Sequence, residues 1–478
     1  QWAGGKMAGH VLVIDNGGAT IKAGYADEHA PQCVMPNCAV KVRKSAKVYV
    51  GDELLRVRAA GGRGESFRKG LCDVSWWKRA HDRGQVVDWN VEKRVWERAL
   101  ACCSAVRASS LSPSSEDWEN ETTEGLLQSV VESLSNDDVS KNLAGSSSAL
   151  TREQERARDT ERAATTLLFT EAPLSLPILS NVAHEVAFEE LSFGAVYRCS
   201  PSYLALYGHS SDPNRRPAPG AAVPPGCGPC ALVVDCGYSA THVSPFFDGR
   251  LLNYAVKRVN VGGKLLTNYL KEAVSYRQWN MMDQTHLMNH IKERLCFVSL
   301  DFLSDMGRAK RTAELQRRYV LPDFVTSNTG YLEEERPAGA ASDDEQVLTM
   351  NNETVAVPEL LFQPSAVGLP QAGVAEAVVQ AVQACPPQLH ECLYENLLLT
   401  GGSSKFANFA PRLHAELRAL IPTEYDLRIA HASDPILAAW SGGAAFARAA
   451  PDALQQAAVT QAEYQEHGHR ICHMKFSN

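Results

Sequence analysis

Long apolar runs are missing from this sequence. No window approaches the roughly 18 to 20 uninterrupted apolar residues that a bilayer-spanning helix requires, so no membrane partner is expected. Surplus positive charge is missing as well. The 47 Lys and Arg stand against 55 Asp and Glu, a formal net charge of -8. That balance argues against a free-standing nucleic-acid binder, whose affinity for duplex phosphates is built from excess cations. There is no disulfide framework: the 13 cysteines are odd in number and irregularly spaced, which fits a reducing compartment, cytosolic or nuclear, better than a secreted scaffold. The N-terminus lacks a signal-peptide apolar core. Residues 1–10 are expected to be a leader, with Met7 the expected start.

What is present is ample material for cores. A chain of 478 residues exceeds what one hydrophobic core usually supports, so two large lobes or several domains are expected. The first strong strand, Val11-Leu12-Val13-Ile14, ends in Asp15-Asn16-Gly17-Gly18. A second, Ala231-Leu232-Val233-Val234, ends in Asp235-Cys236-Gly237. Each is an apolar run bounded by turn residues, which reads as a buried strand entering a hairpin. Together they form an internal repeat, Asp15 matching Asp235 and Gly17 matching Gly237. Apolar spacings of three and four predict helices over 91–102, 265–274, 285–298, 376–384 and 409–421, and alternation of strands with helices indicates an α/β architecture. Three polar stretches interrupt it. Residues 104–165 read as a mostly disordered insertion with one charged helix near Arg152 to Arg162, 210–229 as a Pro- and Gly-dense loop, and 326–344 as a further insertion.

A hairpin of the form apolar-apolar-Asp-x-Gly can bind anions, because the glycine permits a tight turn whose successive backbone N–H groups point outward as a nest. The aspartate at the strand end faces the same spot and can orient waters around Mg²⁺, which commonly keeps several of them. One such hairpin is also a common bland turn. Two matched hairpins a domain apart point instead to a phosphate gripped from both sides. Lys22 follows the first and can meet phosphate charge; Tyr238 and Ser239 lie within the second, and Thr241 and His242 close it. A third glycine pair, Thr400-Gly401-Gly402-Ser403, follows the strand Leu397-Leu398-Leu399, and glycine there lets backbone approach a ring or phosphate closely. Gly262-Gly263-Lys264 is not a P-loop, since Arg258 and Leu265 occupy positions that motif reserves for Gly and for Ser or Thr.

These blocks resemble the actin family. VIDNGGATIKAGYADEHAPQCVMP at 13–36 and DCGYSATHVSPFFDGRLL at 235–252 are similar to its two phosphate loops. The likeness continues through VNVGGKLLTNYL, IKERLCFVSLDF, FQPSAVGL, LLTGGSSKF and Trp440-Ser441-Gly442-Gly443. It implies an actin-like ATPase fold, two RNase H-like lobes around a nucleotide cleft. The first lobe would comprise 11–208 and 438–478, with a small outer subdomain at 37–80; the second would comprise 209–437, with an outer subdomain at 262–369. Carried over residue by residue, the resemblance implies that Asp15, Asn16, Gly17, Gly18, Lys22, Asp235, Gly237, Tyr238, Ser239 and Thr241 hold the phosphates of ATP or ADP. Gly263, Lys292, Glu293, Gly401, Gly402, Ser403 and Phe406 would surround the nucleoside, and Asp15 and Asp235 would hold Mg²⁺ through water.

Within the family, the run from Gly262 to Phe302, the block Tyr319 to Phe324 and the tail EYQEHGHRICHMKF are typical of a nuclear branch. That likeness implies a nuclear subunit, with cytoplasmic presence also open, of an ATP-dependent chromatin-remodelling complex that exchanges a histone variant. Its implied partners are the other subunits, with a nucleosome or DNA contact through 104–165 or Arg56, Arg58, Arg63, Arg68 and Lys69. Departures bear on mechanism: Pro201 stands where the family has the Gln that positions the attacking water, Tyr238 where the second loop has Asp, and Ile436 where a Lys lies along the adenine. Proline has no side-chain donor or acceptor, so hydrolysis is expected to be slow or absent. The outer subdomain lacks a recognisable filament-inserting loop, so no homo-filament is expected.

Other readings stay open at this stage. Cys227-Gly228-Pro229-Cys230 has the letters of a thioredoxin-type motif but feeds a strand rather than a helix. His467, His469, Cys472 and His473 can be read as zinc ligands or as a surface tail. An actin-fold ATPase or kinase with its own turnover is the functional rival. A kinase needs a carboxylate general base beyond those serving the metal, and none stands out.

Overall fold

The computed structural model describes residues 10–42, 48–53, 74–108, 152–211, 230–322, 330–336 and 345–476. Two six-stranded sheets dominate. The first contains β1 (Val11–Asn16), β2 (Thr20–Tyr25), β3 (Cys33–Pro36), β9 (Thr166–Thr170), β10 (Ala195–Cys199) and β20 (Val459–Thr460), in the order β20-β10-β9-β1-β2-β3. The second contains β11 (Cys230–Cys236), β12 (Thr241–Phe247), β13 (Arg250–Leu251), β14 (Lys257–Val259), β18 (Leu397–Thr400) and β19 (Ile429–His431), in the order β13-β12-β11-β18-β19, with β14 also on β12. The repeat seen in the sequence is therefore a repeat of topology. In each sheet a hairpin, β1–β2 or β11–β12, pairs antiparallel, and its first strand pairs parallel with a later one, β9 or β18. The first strands are buried on both faces, which is why they read as unbroken apolar runs.

Smaller sheets decorate this frame. β4 (Ala39–Val42), β5 (Val48–Val50) and β6 (Val74–Lys78) form one in the order β5-β4-β6, and β7 (His81–Asp82) with β8 (Gln85–Val86) forms a hairpin. β15 (Arg317–Val320), β16 (Tyr331–Leu332) and β17 (Val347–Met350) form another, in the order β16-β15-β17. The charged residues Arg56, Arg58, Arg63, Arg68 and Lys69 lie outside the described residues.

The principal helices are α1 (Trp89–Ala108), α2 (Pro201–Ser210), α3 (Gly263–Arg277), α4 (Thr285–Leu295), α5 (Ala438–Ala449) and α6 (His469–Phe476). Each predicted helix is found, with shifted ends. α1 continues to Ala108 and a helix spans Arg152–Ala163, so both ends of the stretch read as insertion are helical; its middle, 109–151, lies outside the described residues. α4 stops at Leu295 rather than Val298, because Phe297 and Val298 donate their N–H groups to Thr354 and Ala407 carbonyls instead of to the helix. Tertiary hydrogen bonds outrank local periodicity there.

The C-terminus departs further from expectation. It is a docked helix rather than a solvated tail: Cys472 is fully buried, His469 Nε2 lies 3.1 Å from Glu185 Oε1, and His473 Nε2 lies 2.8 Å from Asn181 Oδ1. Among the described residues no group of three or more His, Cys, Asp or Glu is arranged to hold a metal. His184, buried against His469, His473 and Phe476, is kept neutral, its pKa lowered to about 3 chiefly by burial and then by the Arg198 charge.

α2 and α5 cross where two glycines meet. A Cβ on Gly208 would sit 2.8 Å from Gly442 Cα, and one on Gly442 would sit 1.8 Å from the Leu204 carbonyl oxygen. No rotamer relieves a clash with backbone. Gly442→Ala is therefore expected to push the helices apart and destabilise the protein by about 1–3 kcal/mol or more, the range for overpacking. A drop in melting temperature of several degrees checks it; an unchanged melting curve would show that the seam is loose.

Candidate functional site

The two hairpins face one another across a single cavity of about 620 Å³. Its lining includes Asp15, Asn16, Gly17, Gly18 and Lys22 from the first hairpin, with Asp235, Gly237, Tyr238 and Ser239 from the second. Gly263, Lys292, Glu293, Gly401, Gly402, Ser403 and Phe406 complete the opposite wall. Gly18 and Ser239 approach so closely that a Cβ on Gly18 would lie 2.5 Å from Ser239 Oγ. Gly17 is equally constrained, since its Cβ would meet the Thr20 carbonyl oxygen at 2.6 Å.

The first hairpin is braced on every side. Lys22 Nζ donates to Asp15 Oδ2 at 2.8 Å, both residues buried. Thr170 donates its hydroxyl proton to Asp15 Oδ1 at 2.9 Å while its oxygen accepts from Asn16 N at 2.8 Å. From outside, Asn37 Nδ2 donates to the Gly17 carbonyl (3.1 Å), Trp96 Nε1 to Asn16 Oδ1 (3.2 Å), and Arg79 to the Gly18 and Ala19 carbonyls (3.0 and 2.9 Å). The second hairpin is tied to the start of α3 through Gly263 N to Gly237 O (3.1 Å) and Lys264 N to Tyr238 O (2.8 Å). Gly401 adopts φ +84°, and a Cβ there would lie 2.5 Å from Asp235 Oδ1. Glycine is required on both counts.

Thr241, expected in the phosphate loop, lies behind the cavity lining: it is buried and donates its hydroxyl to the Val261 carbonyl at 2.9 Å. Its place at the foot of β12, opposite Cys236, turns it into the sheet's support. Its neighbour His242 lies on the other strand face, lines the cavity, and is held neutral by burial, its pKa lowered to about 4. Lys292 is buried and donates to Gly263 O, Thr267 Oγ1 and Asn289 Oδ1 at 3.3, 3.1 and 2.8 Å. Glu293, by contrast, is exposed at the rim.

Sequence reasoning missed Thr170, Arg79, Asn37 and Trp96. Only Thr170 carried a signal: Leu167-Leu168-Phe169-Thr170 repeats Leu397-Leu398-Leu399-Thr400, and Thr400 pairs with Asp235 as Thr170 bonds to Asp15. The others converge from distant segments with no shared pattern.

Several contacts strap the cavity across the lobes. The Arg79 guanidinium stacks 4.7 Å over the Tyr238 ring, Lys264 Nζ lies 3.5 Å from Asp82 Oδ1, and Arg258 donates to the Arg83 carbonyl. Asp235 and Asp15 face the same space. Burial, then the Asp15 charge, pushes the Asp235 carboxyl up to about 6, with Lys22 acting in the opposite direction.

The Actin family model matches residues 8–477. The chain thus belongs to the actin family, and its fold is the actin-like α/β ATPase fold. It is similar to "Actin-related protein 6" of Arabidopsis thaliana, 34% identical over 98% of this chain and 99% of that one. Proteins of the same name from Dictyostelium discoideum and Drosophila melanogaster are each 31% identical, covering 98% and 97% of this chain and 94% and 98% of theirs.

The Asp235 shift has a consequence for stability. Because folding raises the proton affinity of this carboxyl from an ordinary 3.8 to about 6, its contribution is fully present below pH 3.8 and is lost as pH rises through 6. Asp235→Asn is expected to raise the melting temperature of the ligand-free protein at pH 8, with the gain shrinking as pH falls below 6. Differential scanning fluorimetry from pH 8 to 5 checks it, and a gain independent of pH would contradict this account.

Proposed function

We propose that the protein is a non-filamentous, ATP-binding structural subunit of a nuclear ATP-dependent chromatin-remodelling complex that exchanges a histone variant, with the nucleotide clamping the two lobes. The observation that carries the nucleotide reading is the meeting of the hairpins at Gly18 and Ser239 over one cavity. The residues fit the ligand. A carboxylate whose proton affinity is raised by burial and by a second carboxylate beside it suits a divalent cation, and the glycine turns let backbone approach a phosphate closely.

In this reading Lys22 and both hairpins hold the phosphates of ATP or ADP, and Gly263, Lys292, Glu293, Gly401, Gly402, Ser403 and Phe406 enclose the nucleoside. Asp15 and Asp235 would hold Mg²⁺ through water; the ion supplies charge neutralisation between carboxylates and phosphates. A ligand touching both lobes stabilises their closed arrangement by mass action.

Turnover needs a placed water as well as bound phosphates. Pro201 lines the cavity at the first turn of α2, where Ser200 caps the helix by accepting from Tyr203 N at 3.2 Å. Proline suits that position structurally but offers the water nothing. The alternative, an actin-fold ATPase or kinase with its own turnover, rests on His242, whose neutral ring reaches the cavity. A base with so low a proton affinity is a poor acceptor at neutral pH, so the structural role is favoured. The subunit role and the nuclear setting rest on similarity to the relatives named above. A nucleosome or DNA contact within the complex belongs to the same proposal.

Protein recovered from nuclear extract is expected to carry ATP or ADP and to bring remodeller subunits with it; recovery alone and free of nucleotide would sink the reading. A single-turnover assay with radiolabelled ATP is expected to show slow or no phosphate release, whereas an actin-like rate would favour the alternative. Sedimentation at high concentration with Mg-ATP is expected to leave the protein in the supernatant, and a pellet would mean that it forms filaments.

A further inference from the structure

Three cysteines gather on the second lobe at the far end of β11 from Asp235. Cys230 opens β11, Cys385 follows the helix Val374–Gln383, and Cys392 lies in the helix His390–Glu395. Cys385 is spoken for, its Sγ 3.3 Å from the Ala381 carbonyl oxygen of its own helix. The other two interlock. The Cys392 thiol reaches the Cys230 carbonyl oxygen at 3.8 Å and the Cys230 thiol reaches the Leu389 carbonyl oxygen, three residues before Cys392, at 3.9 Å, so each sulfur sits against the other's backbone. Asn396 Nδ2 donates to Cys392 Sγ at 3.7 Å. Cys392 is half-buried, while Cys230 is 2% exposed.

We propose that Cys392 and Cys230 form a redox-active dithiol, Cys392 as the attacking and Cys230 as the resolving sulfur, whose substrate is a low-molecular-weight disulfide. The placement fits those roles, since an attacking sulfur must be reached from solvent and a resolving one must only reach its partner. The electrostatics agree. The Cys230 thiol beside it and the Asn396 amide bring Cys392 down to about 7 despite burial, while the neighbouring Cys392 and burial hold Cys230 well above its ordinary range. Cys392 is thus thiolate in part at neutral pH.

The exchange balances without a further reagent. The Cys392 thiolate attacks one sulfur of the small disulfide, forming a mixed disulfide and expelling one small thiolate. Cys230 loses its proton to solvent and attacks Cys392 Sγ, closing the protein disulfide and expelling the second thiolate. The small molecule gains two electrons and two protons; the protein dithiol loses both. The thioredoxin-like spacing Cys227-Gly228-Pro229-Cys230 thereby misdirects: Cys227 lies outside the described residues, and the structure gives Cys230 a partner 162 positions along the chain. The bond would fasten the start of β11 to the helix leading into β18, the two parallel strands that end at Cys236 and Thr400. It does not depend on the nucleotide reading.

The test treats pre-reduced, full-length native protein with oxidised glutathione, alkylates remaining thiols, and maps disulfide peptides by mass spectrometry. The expected result is a peptide joining Cys230 to Cys392, present in wild type and in Cys227→Ser. Cys230→Ser is expected to stop at a glutathione adduct on Cys392, and Cys392→Ser to form neither. A dominant Cys227–Cys230 link in wild type would overturn the proposal. So would Cys230 and Cys392 both remaining fully alkylatable, or a stable glutathione adduct on wild-type Cys392. The wild-type map decides the matter even where a variant fails to fold.

Discussion

Two backbone turns from opposite lobes come within side-chain reach at Gly18 and Ser239, and the position of nearly every other group around the cavity follows from that approach. The turns can come so close only because each is made of residues with little or no side chain. Each is also pinned from behind, the first by Thr170, Asn37 and Arg79, the second by the start of α3. The rigidity lies in the sheets and the specificity in the turns. That division of labour lets the turns vary, as at Tyr238, while the strands beneath them keep their register.

The strand repeat was legible because each half writes it in local chemistry: an apolar run, an aspartate, a glycine. Helices were legible for the same reason, apart from their ends, which tertiary hydrogen bonds reset at Cys296 to Val298. The two hairpins and the Gly401-Gly402 turn stood in motifs that could be read along the chain, Gly263, Lys292, Glu293 and Phe406 came from the family resemblance, and the lining shows them together. What could not be read were side chains that act from a distance. Arg79 reaches the first turn across about sixty positions, and nothing near it in sequence marks the purpose. Thr241 shows the reverse: it adjoins the motif, yet the alternation of β12 turns its hydroxyl to the Val261 carbonyl and leaves His242 along the cavity. The C-terminal histidines looked like ligands or loose tail because sequence does not reveal that Cys472 points into a core.

Asp235 shows how function can be built at the expense of stability. A carboxylate buried beside another carboxylate is costly in the empty protein. Lys22 opposes that cost only in part, since its ammonium is already engaged by Asp15. Pro201 shows the opposite economy: a residue that serves the helix start and gives nothing to the cavity. Both residues line the same cavity.

Between the lobes, Arg79 on Tyr238, Lys264 beside Asp82 and Arg258 on the Arg83 carbonyl each join a residue that precedes α1 to one around β12 and α3. Swinging the two sheets apart therefore means giving up all three, so the cleft is latched by residues that lie outside the first hairpin.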